Sequence, residues 1–374
     1  MTRAKPGEGR PFKRKSDGLS VVVVRDAEGR RKYLYASSPA AAIARRDEYL
    51  AGTAMGLNIA STRLTVGRQL AEWLDDRRGR VRSSTWVSYE SHVRIHLASL
   101  RNIALTRLRA AHVRELVRER QAAGCAPRTI GYSLTVLRMA IRQAIADGLV
   151  PRNVAAGVTA PAAVGHEFRI LTEDEARGLL AAAPATTCGH LWTVMLGTGM
   201  RLGETLALRR IDIDRTAGRL TIAGSLRPRD RRIRPAGTAR LAIEPPKTSA
   251  GRRTIAVPAF VLAAIEVELA ADRPANVQGL VFTTPRGTPL DQRNVARRWT
   301  AFLAATSLPV IRMHDLRHTA ASLMLAQGAS LYDVMKLLGH ASITMTANTY
   351  GHLVEGRSRE LAAGMDRLLG RGIG

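Results

Sequence analysis

Apolar residues recur along this chain in two rhythms. From Leu64 to about Val158 they fall three and four apart, the spacing that gathers one face of a helix. Val66, Leu70, Trp73 and Leu74 form a first stripe. Ser83-Ser84-Thr85 opens a second helix carrying Trp86, Tyr89, Val93 and Leu97. Val113, Leu116 and Val117 mark a third, after Thr106. Pro127-Arg128-Thr129 opens a fourth, with Ile130, Leu134, Leu137, Ile141 and Ile145 in line, and Gly148 and Pro151 end it. Nearer the start, Ser20 to Val24 and Lys32 to Tyr35 read as two strands around the turn-forming Asp26-Ala27-Glu28-Gly29. Ser37 or Ser38 then caps a helix with Pro39 near its first turn, and Gly52 closes it. Residues 1 to 18, polar, basic and rich in Gly and Pro, read as a mobile arm.

Ala155 to Glu167 has no period and contains Pro and Gly, the composition of a linker. Thr172 with Glu175 three residues on is a capping box that opens the last stretch. That stretch alternates helices with one strand-rich patch, Arg219 to Val257. There Arg240 to Glu244 and Thr254 to Val257 are expected to pair, with Lys247 at the turn between them. The fold class expected is mainly α with small β-sheets, ending in an α+β domain. Boundaries fall at residues 1–60, 61–158, a linker at 159–169, and 170–374.

Charge changes the picture. Lys and Arg number 57 against 31 Asp and Glu, a formal charge of +26. So large an excess, mostly Arg, costs self-repulsion that a phosphate backbone relieves, so a polyanionic partner is expected. A basic chain has a bland reading too, as general solubility. The helical region carries Arg94, Arg101, Arg107, Arg114, Arg118, Arg120, Arg128, Arg138 and Arg142 on its polar faces. Of these, Arg94, Arg114, Arg118, Arg128, Arg138 and Arg142 are the candidate DNA contacts. Two cysteines, Cys125 and Cys188, make neither a disulfide framework nor a metal cluster. The apolar run Leu19 to Val24 is too short for a signal peptide or a membrane span, so a cytoplasmic, nucleoid-associated protein without membrane contact is expected. The absence of a G-x-x-x-x-G-K-[ST] loop argues against nucleotide hydrolysis.

Four short segments carry candidate chemistry. In His314-Asp315-Leu316-Arg317-His318, a helix would put His314 and Arg317 three apart on one face, able to hold two oxygens of one phosphodiester. Gly197-Thr198-Gly199-Met200-Arg201 permits a tight turn before a helix, with Arg201 in its first turn and Glu204 placed to brace Arg201 or the helix N-terminus. Lys247 sits in Pro246 to Pro258 at a turn. Gly339 would end one helix before His340, and Tyr350, followed by Gly351, falls where a short helix gives way to a turn. Each has an ordinary alternative: a salt-bridged surface arginine, a structural turn, a solvated lysine, a packing tyrosine.

Together, in this order, the segments resemble the tyrosine recombinase (phage integrase) family, whose catalytic set is Arg, Lys, His, Arg, His and a nucleophilic Tyr. The matching positions are Arg201, Lys247, His314, Arg317, His340 and Tyr350, and Glu204 matches the acidic residue that follows the first Arg. The resemblance covers about 170 to 360 sharply. Over 64 to 158 it suggests a core-type DNA-binding domain, and over 18 to 52 an arm-binding module. The basic stretch Leu226 to Thr238 departs from the family pattern and leaves the strand count near Lys247 open.

The resemblance implies a site-specific recombinase, an integrase cutting and rejoining DNA at attachment sites. Arg201 and Arg317 would hold the non-bridging oxygens with His314 as a further donor, because fixed cations aimed at developing charge supply most of the catalysis of phosphoryl transfer. Tyr350 would attack and leave a 3′-phosphotyrosine, while Lys247 protonates the leaving 5′-oxygen. His340 would either accept from the phenol or donate to the phosphate. The bond energy is preserved, so no cofactor, ATP or metal is required. Four protomers would exchange strands through a Holliday junction, with room for a host DNA-bending protein or an excisionase. Leu353, Leu361, Met365, Leu368 and Leu369 form a stripe that would pack on a neighbour or on the chain's own core. Rival classes are a DNA-binding regulator without catalysis and a type IB topoisomerase-like relaxing enzyme.

Overall fold

The computed structural model describes residues 10–25, 29–54, 64–162, 169–234, 236–246, 248–276, 278–351 and 358–369. The chain divides into two compact units, Met1–Gly165 and His166–Gly374.

The first unit begins with an antiparallel sheet in the order β1-β2-β3, from β1 (Phe12–Lys13), β2 (Ser20–Arg25) and β3 (Arg31–Ala36), followed by α1 (Pro39–Ala54). Phe12 and Lys13, assigned by sequence to a mobile arm, pair with Val21 and Ser20. The expected turn residues 26–28 lie outside the described residues. Alternation along the strands sorts the two faces. Val22, Leu34 and Ala36 pack with Ala41 and Ala42 of α1, while Phe12, Tyr33 and Tyr35 stay partly exposed on the other face. Helix α1 runs through Gly52 to Ala54 rather than stopping at the glycine. A glycine inside a helix costs only about 1 kcal/mol, too little to end one by itself.

The rest of this unit is helical: α2 (Val66–Asp76), α3 (Ser83–Ser91), α4 (Ala110–Ala122) and α5 (Pro127–Ala146). The four stripes read from sequence supply the core, with Leu70, Trp73, Leu97, Val113, Leu134 and Leu137 nearly inaccessible. Thr65 caps α2 by accepting from the Arg68 N–H, and Trp86 Nε1 donates to the Leu74 carbonyl, tying α3 to α2. Beyond α3 the helix widens into a single π-helical turn, His92–His96, where the Leu97 N–H donates to the His92 carbonyl five residues back. Ala155 and Val158, at the start of the aperiodic stretch, are buried in this unit. Their carbonyls accept from Arg138 Nε (2.9 Å) and Nη2, so the guanidinium of Arg138 fastens the chain after α5. Residues 163–168 of the expected linker lie outside the described residues.

The second unit opens with α6 (Glu173–Ala182), capped reciprocally by Thr172 and Glu175 as the capping box predicts. Helices α7 (Gly189–Thr198) and α8 (Leu202–Leu206) follow. Next come β4 (Ile213–Asp214), β5 (Arg219–Ile222), β6 (Ser225–Pro228), β7 (Leu241–Glu244) and β8 (Arg253–Ala256). The remainder is α9 (Ala259–Ala270), α10 (Gln292–Ala304), α11 (Asp315–Ala326), α12 (Leu331–Leu338), α13 (Ile343–Tyr350) and α14 (Ser358–Leu369). Helix α7 is buried almost all round and forms the centre of the core with Leu206, Leu220, Ile255, Val261, Trp299 and Leu316.

Strand pairing corrects the sequence reading. Residues 240–244 and 254–257 were expected to form one hairpin. Instead β7 pairs with β6, and β8 pairs with β5 in a separate sheet ordered β4-β5-β8. Pro245 and Pro246 follow β7 directly. With no N–H and a fixed φ they cannot carry a ladder onward. The basic stretch from Leu226 becomes the far strand and loop of the β6–β7 hairpin, closed by Arg229 N–H donating to the Arg240 carbonyl at 2.7 Å. In the other sheet, register sets Leu220 opposite Ile255, so both bury against the core.

Candidate active site

The site of the second unit is built where helices end. Helix α7 terminates at Gly199 and α12 at Gly339, with φ of +65° and +67°. Any Cβ at Gly199 would lie 2.8 Å from Leu338 Cδ2, and at Gly339 it would lie 2.8 Å from Arg253 Nη1 and 2.9 Å from the Ala250 carbonyl oxygen. Glycine is needed at both for conformation and for space. The turns expose last-turn carbonyls, and two arginines claim them. Arg317 Nη1 donates to the Gly199 carbonyl (2.8 Å) and Nη2 to the Leu338 carbonyl (2.6 Å). Arg253 Nε donates to the Leu337 carbonyl (2.5 Å). Cations at helix C-termini also meet the negative end of the helix dipole.

Arg201 is the N-cap of α8 rather than a first-turn residue. The buried Glu204 carboxylate accepts from the Arg201 N–H (3.1 Å), from Arg201 Nη1 (2.8 Å) and from Arg253 Nη2 (3.0 Å). It therefore braces both the side chain and the helix terminus. Burial alone would push this carboxyl up, but Arg253 and Arg201 outweigh it and hold the group below its ordinary value.

His314 precedes α11 as its N-cap, and Asp315, Arg317 and His318 lie in the first turn. Asp315 is locked by the Arg312 N–H (2.8 Å) and the Arg312 guanidinium. Thr319 donates to the Asp315 carbonyl and accepts from the Leu171 N–H, docking the start of the unit onto α11. The His314 and His318 rings meet edge to face at 5.3 Å. His340 follows Gly339, with Nδ1 2.9 Å from the buried Thr346 hydroxyl. Tyr350 ends α13. Its ring packs among Ala321, Leu325, Val334 and Leu338 and is 1% exposed, yet its hydroxyl lies 2.8 Å from His318 Nδ1.

These groups feel one another. Burial, then His318, Arg317 and Arg201, drive His314 down to about 4; burial, then Arg317, Arg201 and Arg253, do the same to His340. Both are neutral at pH 7, each offering one donor and one acceptor nitrogen. Burial, then Arg201, lowers Arg317 to about 9. Burial pushes Tyr350 up to about 12, against the pull of Arg317.

Of the residues expected from sequence, Arg201, Glu204, His314, Arg317, His340 and Tyr350 converge here. Lys247 lies outside the described residues. Sequence reasoning missed Arg253 and His318. His318 had a signal, since it is four residues after His314 and so on the same helical face. Arg253 had none, because the partners that tie it to the site, Glu204 and Leu337, are 49 and 84 residues away. Among the candidate DNA contacts, Arg94 pairs with Glu90 (3.0 Å) and Arg118 with Glu115 (3.1 Å). Arg114, Arg128 and Arg142 are exposed, and Arg138 is occupied as described above.

Residues 169–357 match the model of the Phage integrase family. The chain belongs to the phage integrase family. It is thus an enzyme of the tyrosine recombinase class, which cleaves and rejoins DNA strands. A tyrosine recombinase XerC-like protein of Caldanaerobacter subterraneus subsp. tengcongensis is 25% identical over 360 residues, 90% of this integrase and 92% of the relative. A putative prophage phiRv2 integrase of Mycobacterium tuberculosis is 30% identical over 246 residues, 65% of this chain and 63% of its own. In fold, this integrase resembles the Tn1549 transposon integrase in complex with a circular intermediate DNA, with a TM-score of 0.70 and 21% identity over 81% of this chain and 99% of that one. It also resembles the lambda integrase tetramer bound to a Holliday junction, with a TM-score of 0.59 and 19% identity over 93% of this chain and 96% of that one. The integrase has, among its described residues, no helix long and apolar enough to cross a membrane.

Proposed function

We propose that this integrase recombines specific sites in double-stranded DNA, with Tyr350 as nucleophile, moving a mobile element into or out of a larger molecule. The observation that carries this reading is the convergence of Arg201, His314, Arg317, His340 and Tyr350, from three separate stretches, into one cationic pocket with the phenol at its edge. Arg201, His314, Arg317 and His340 grip the non-bridging oxygens of the scissile phosphate. Each terminal nitrogen of Arg317 uses one hydrogen on a carbonyl and keeps a second for the ligand. The Tyr350 oxygen bonds to phosphorus as the bond to the 5′-oxygen breaks. Lys247 gives that oxygen its proton, and a 3′-phosphotyrosine remains to be attacked by a different strand's 5′-hydroxyl.

The helical part of the first unit would lie on the core site, with Arg114, Arg128 and Arg142 on phosphates. The β1-β2-β3 module would hold flanking DNA with its open face, where Phe12, Tyr33 and Tyr35 are interleaved with Arg25 and Arg31. Lambda integrase forms a tetramer on a Holliday junction, and this integrase would assemble likewise. Met365, Leu368 and Leu369 of α14, all more than half exposed, suit contact with a second copy.

Trapping the protein on a nicked suicide duplex tests the reading. The wild type is expected to become covalently attached at Tyr350 to a 3′-phosphate, and Tyr350→Phe to bind the same duplex equally with no adduct. An adduct on another residue, or one that survives in Tyr350→Phe, overturns the assignment.

A further inference from the structure

Resting on that reading, we infer that His318 is a catalytic residue, the acceptor of the Tyr350 phenol proton as this oxygen attacks phosphorus. The two atoms involved already meet, with His318 Nδ1 2.8 Å from the hydroxyl and the ring centroids 5.8 Å apart. That is the separation a proton abstraction requires.

The other two histidines of the pocket are placed for different work. His340 Nδ1 faces the Thr346 hydroxyl, and His314 lies within the influence of Arg317 and Arg201 and meets the ring of His318 edge to face. His318 is also held as a base should be. It follows Arg317, whose guanidinium is tied to the ends of α7 and α12, and its helix is fixed at the first turn by Asp315 and Thr319. The backbone that carries the imidazole is therefore fixed relative to the cation.

The phenol needs such a partner. Held near 12 by burial, it is ionised in only about one molecule in 10⁵ at pH 7. The charged and titratable groups around His318 include His314 and Arg317 on its own segment, Asp315 in the same turn, Arg312 ahead of the helix, His340 after α12 and Tyr350 from α13. Burial is the largest influence and keeps the imidazole below its ordinary value. Arg312 and Arg317 add to that, and Asp315 opposes it. The ring is therefore neutral at pH 7. With its proton on Nε2, the Nδ1 lone pair faces the hydroxyl.

The step balances. The phenol proton passes to Nδ1 while the oxygen–phosphorus bond forms and the phosphorus–5′-oxygen bond breaks, and the proton for the 5′-oxygen comes from Lys247. In the return step a 5′-hydroxyl attacks and gives its proton to the now neutral Lys247, the phosphorus–phenol oxygen bond breaks, and Nδ1 gives its proton back to the phenol oxygen.

The test is the single-turnover rate of covalent adduct formation across pH 5 to 9. The probe is a suicide duplex selected from random-sequence DNA on the Tyr350→Phe protein and nicked beside the protected centre. The wild-type rate is expected to rise with pH below the ordinary histidine value and then level. His318→Gln, which keeps a polar contact but no base, should be slower by ~10²–10³-fold at pH 7 and should climb steadily through pH 9. Added imidazole should restore His318→Ala in part. A His318→Gln rate within threefold of wild type, or a slowed rate with an unchanged pH profile, would overturn the proposal. If His318→Gln does not fold, His318→Asn takes its place under the same criteria. Adduct at Tyr350 in the wild type shows the recombinase reading to stand whichever way His318 falls, and adduct in Tyr350→Phe removes that reading itself.

Discussion

Arg317 and Glu204 each answer to more than one element. Sequence identified both, but not the carbonyls that Arg317 holds or the Arg253 that Glu204 pairs with. The Arg317 carbonyl partners are 118 and 21 residues away, and no local pattern announces a bond across such separations. Glu204 shows what that sharing does to stability. It is buried between Arg201 and Arg253, so Glu204→Gln leaves Arg253 without its charge partner and is expected to cost about 3 kcal/mol at pH 7. The pH dependence has a definite sign. The folded pKa is depressed, so the stabilisation is present above the unfolded value of about 4.5 and disappears as pH falls through the folded one. Urea unfolding of wild type and variant from pH 7 to 3 should show the gap closing only below pH 4.5. A gap constant down to pH 3 would mean that the carboxylate charge contributes nothing.

The helices of this integrase were legible as elements because their signals are local. A capping threonine, an apolar stripe at 3.6 residues and a terminal glycine all lie within one span, and α2, α5, α6 and the end of α12 follow them. Strands were less legible. Their identity is local but their partners are not, and the Pro245-Pro246 pair, which separates β7 from β8, outweighed the shorter route to a hairpin. The glycines at the helix ends carry a prediction at this scale. Gly339→Ala forces a Cβ into a left-handed turn, costing roughly 1–2 kcal/mol, and sets it against Arg253 and the Ala250 carbonyl. Thermal unfolding should fall accordingly, and adduct formation should fall further than stability alone accounts for, since His340 and Arg253 both hang on that turn. A variant with wild-type melting and wild-type cleavage would show the turn to be dispensable.

For the whole molecule, the charge of +26 was readable at once, and its distribution was not. Sequence named six arginines on the polar faces of the helical region as candidate DNA contacts. The structure engages Arg138 in holding the chain after α5 and pairs Arg94 and Arg118 with neighbouring glutamates. If 6–10 phosphates are neutralised, affinity for duplex DNA should drop by about 10³–10⁵ between 50 and 200 mM salt. On duplexes long enough to flank the core site, replacing Arg31 and Tyr33 of β3 should weaken binding. On short core duplexes it should not. Equal loss on both, measured by titration at fixed salt, would count against a separate N-terminal grip.

Tethered at both amino ends, the Arg317 side chain is ordered before any DNA arrives. The freedom of so long a side chain, on the order of 1.5–2 kcal/mol, is surrendered during folding, so meeting the phosphodiester exacts none of it. On the recombinase reading, grip and speed then belong to different arginines. Swinging ones on the helical surfaces gather the polyanion, and one that cannot swing receives the bond to be broken.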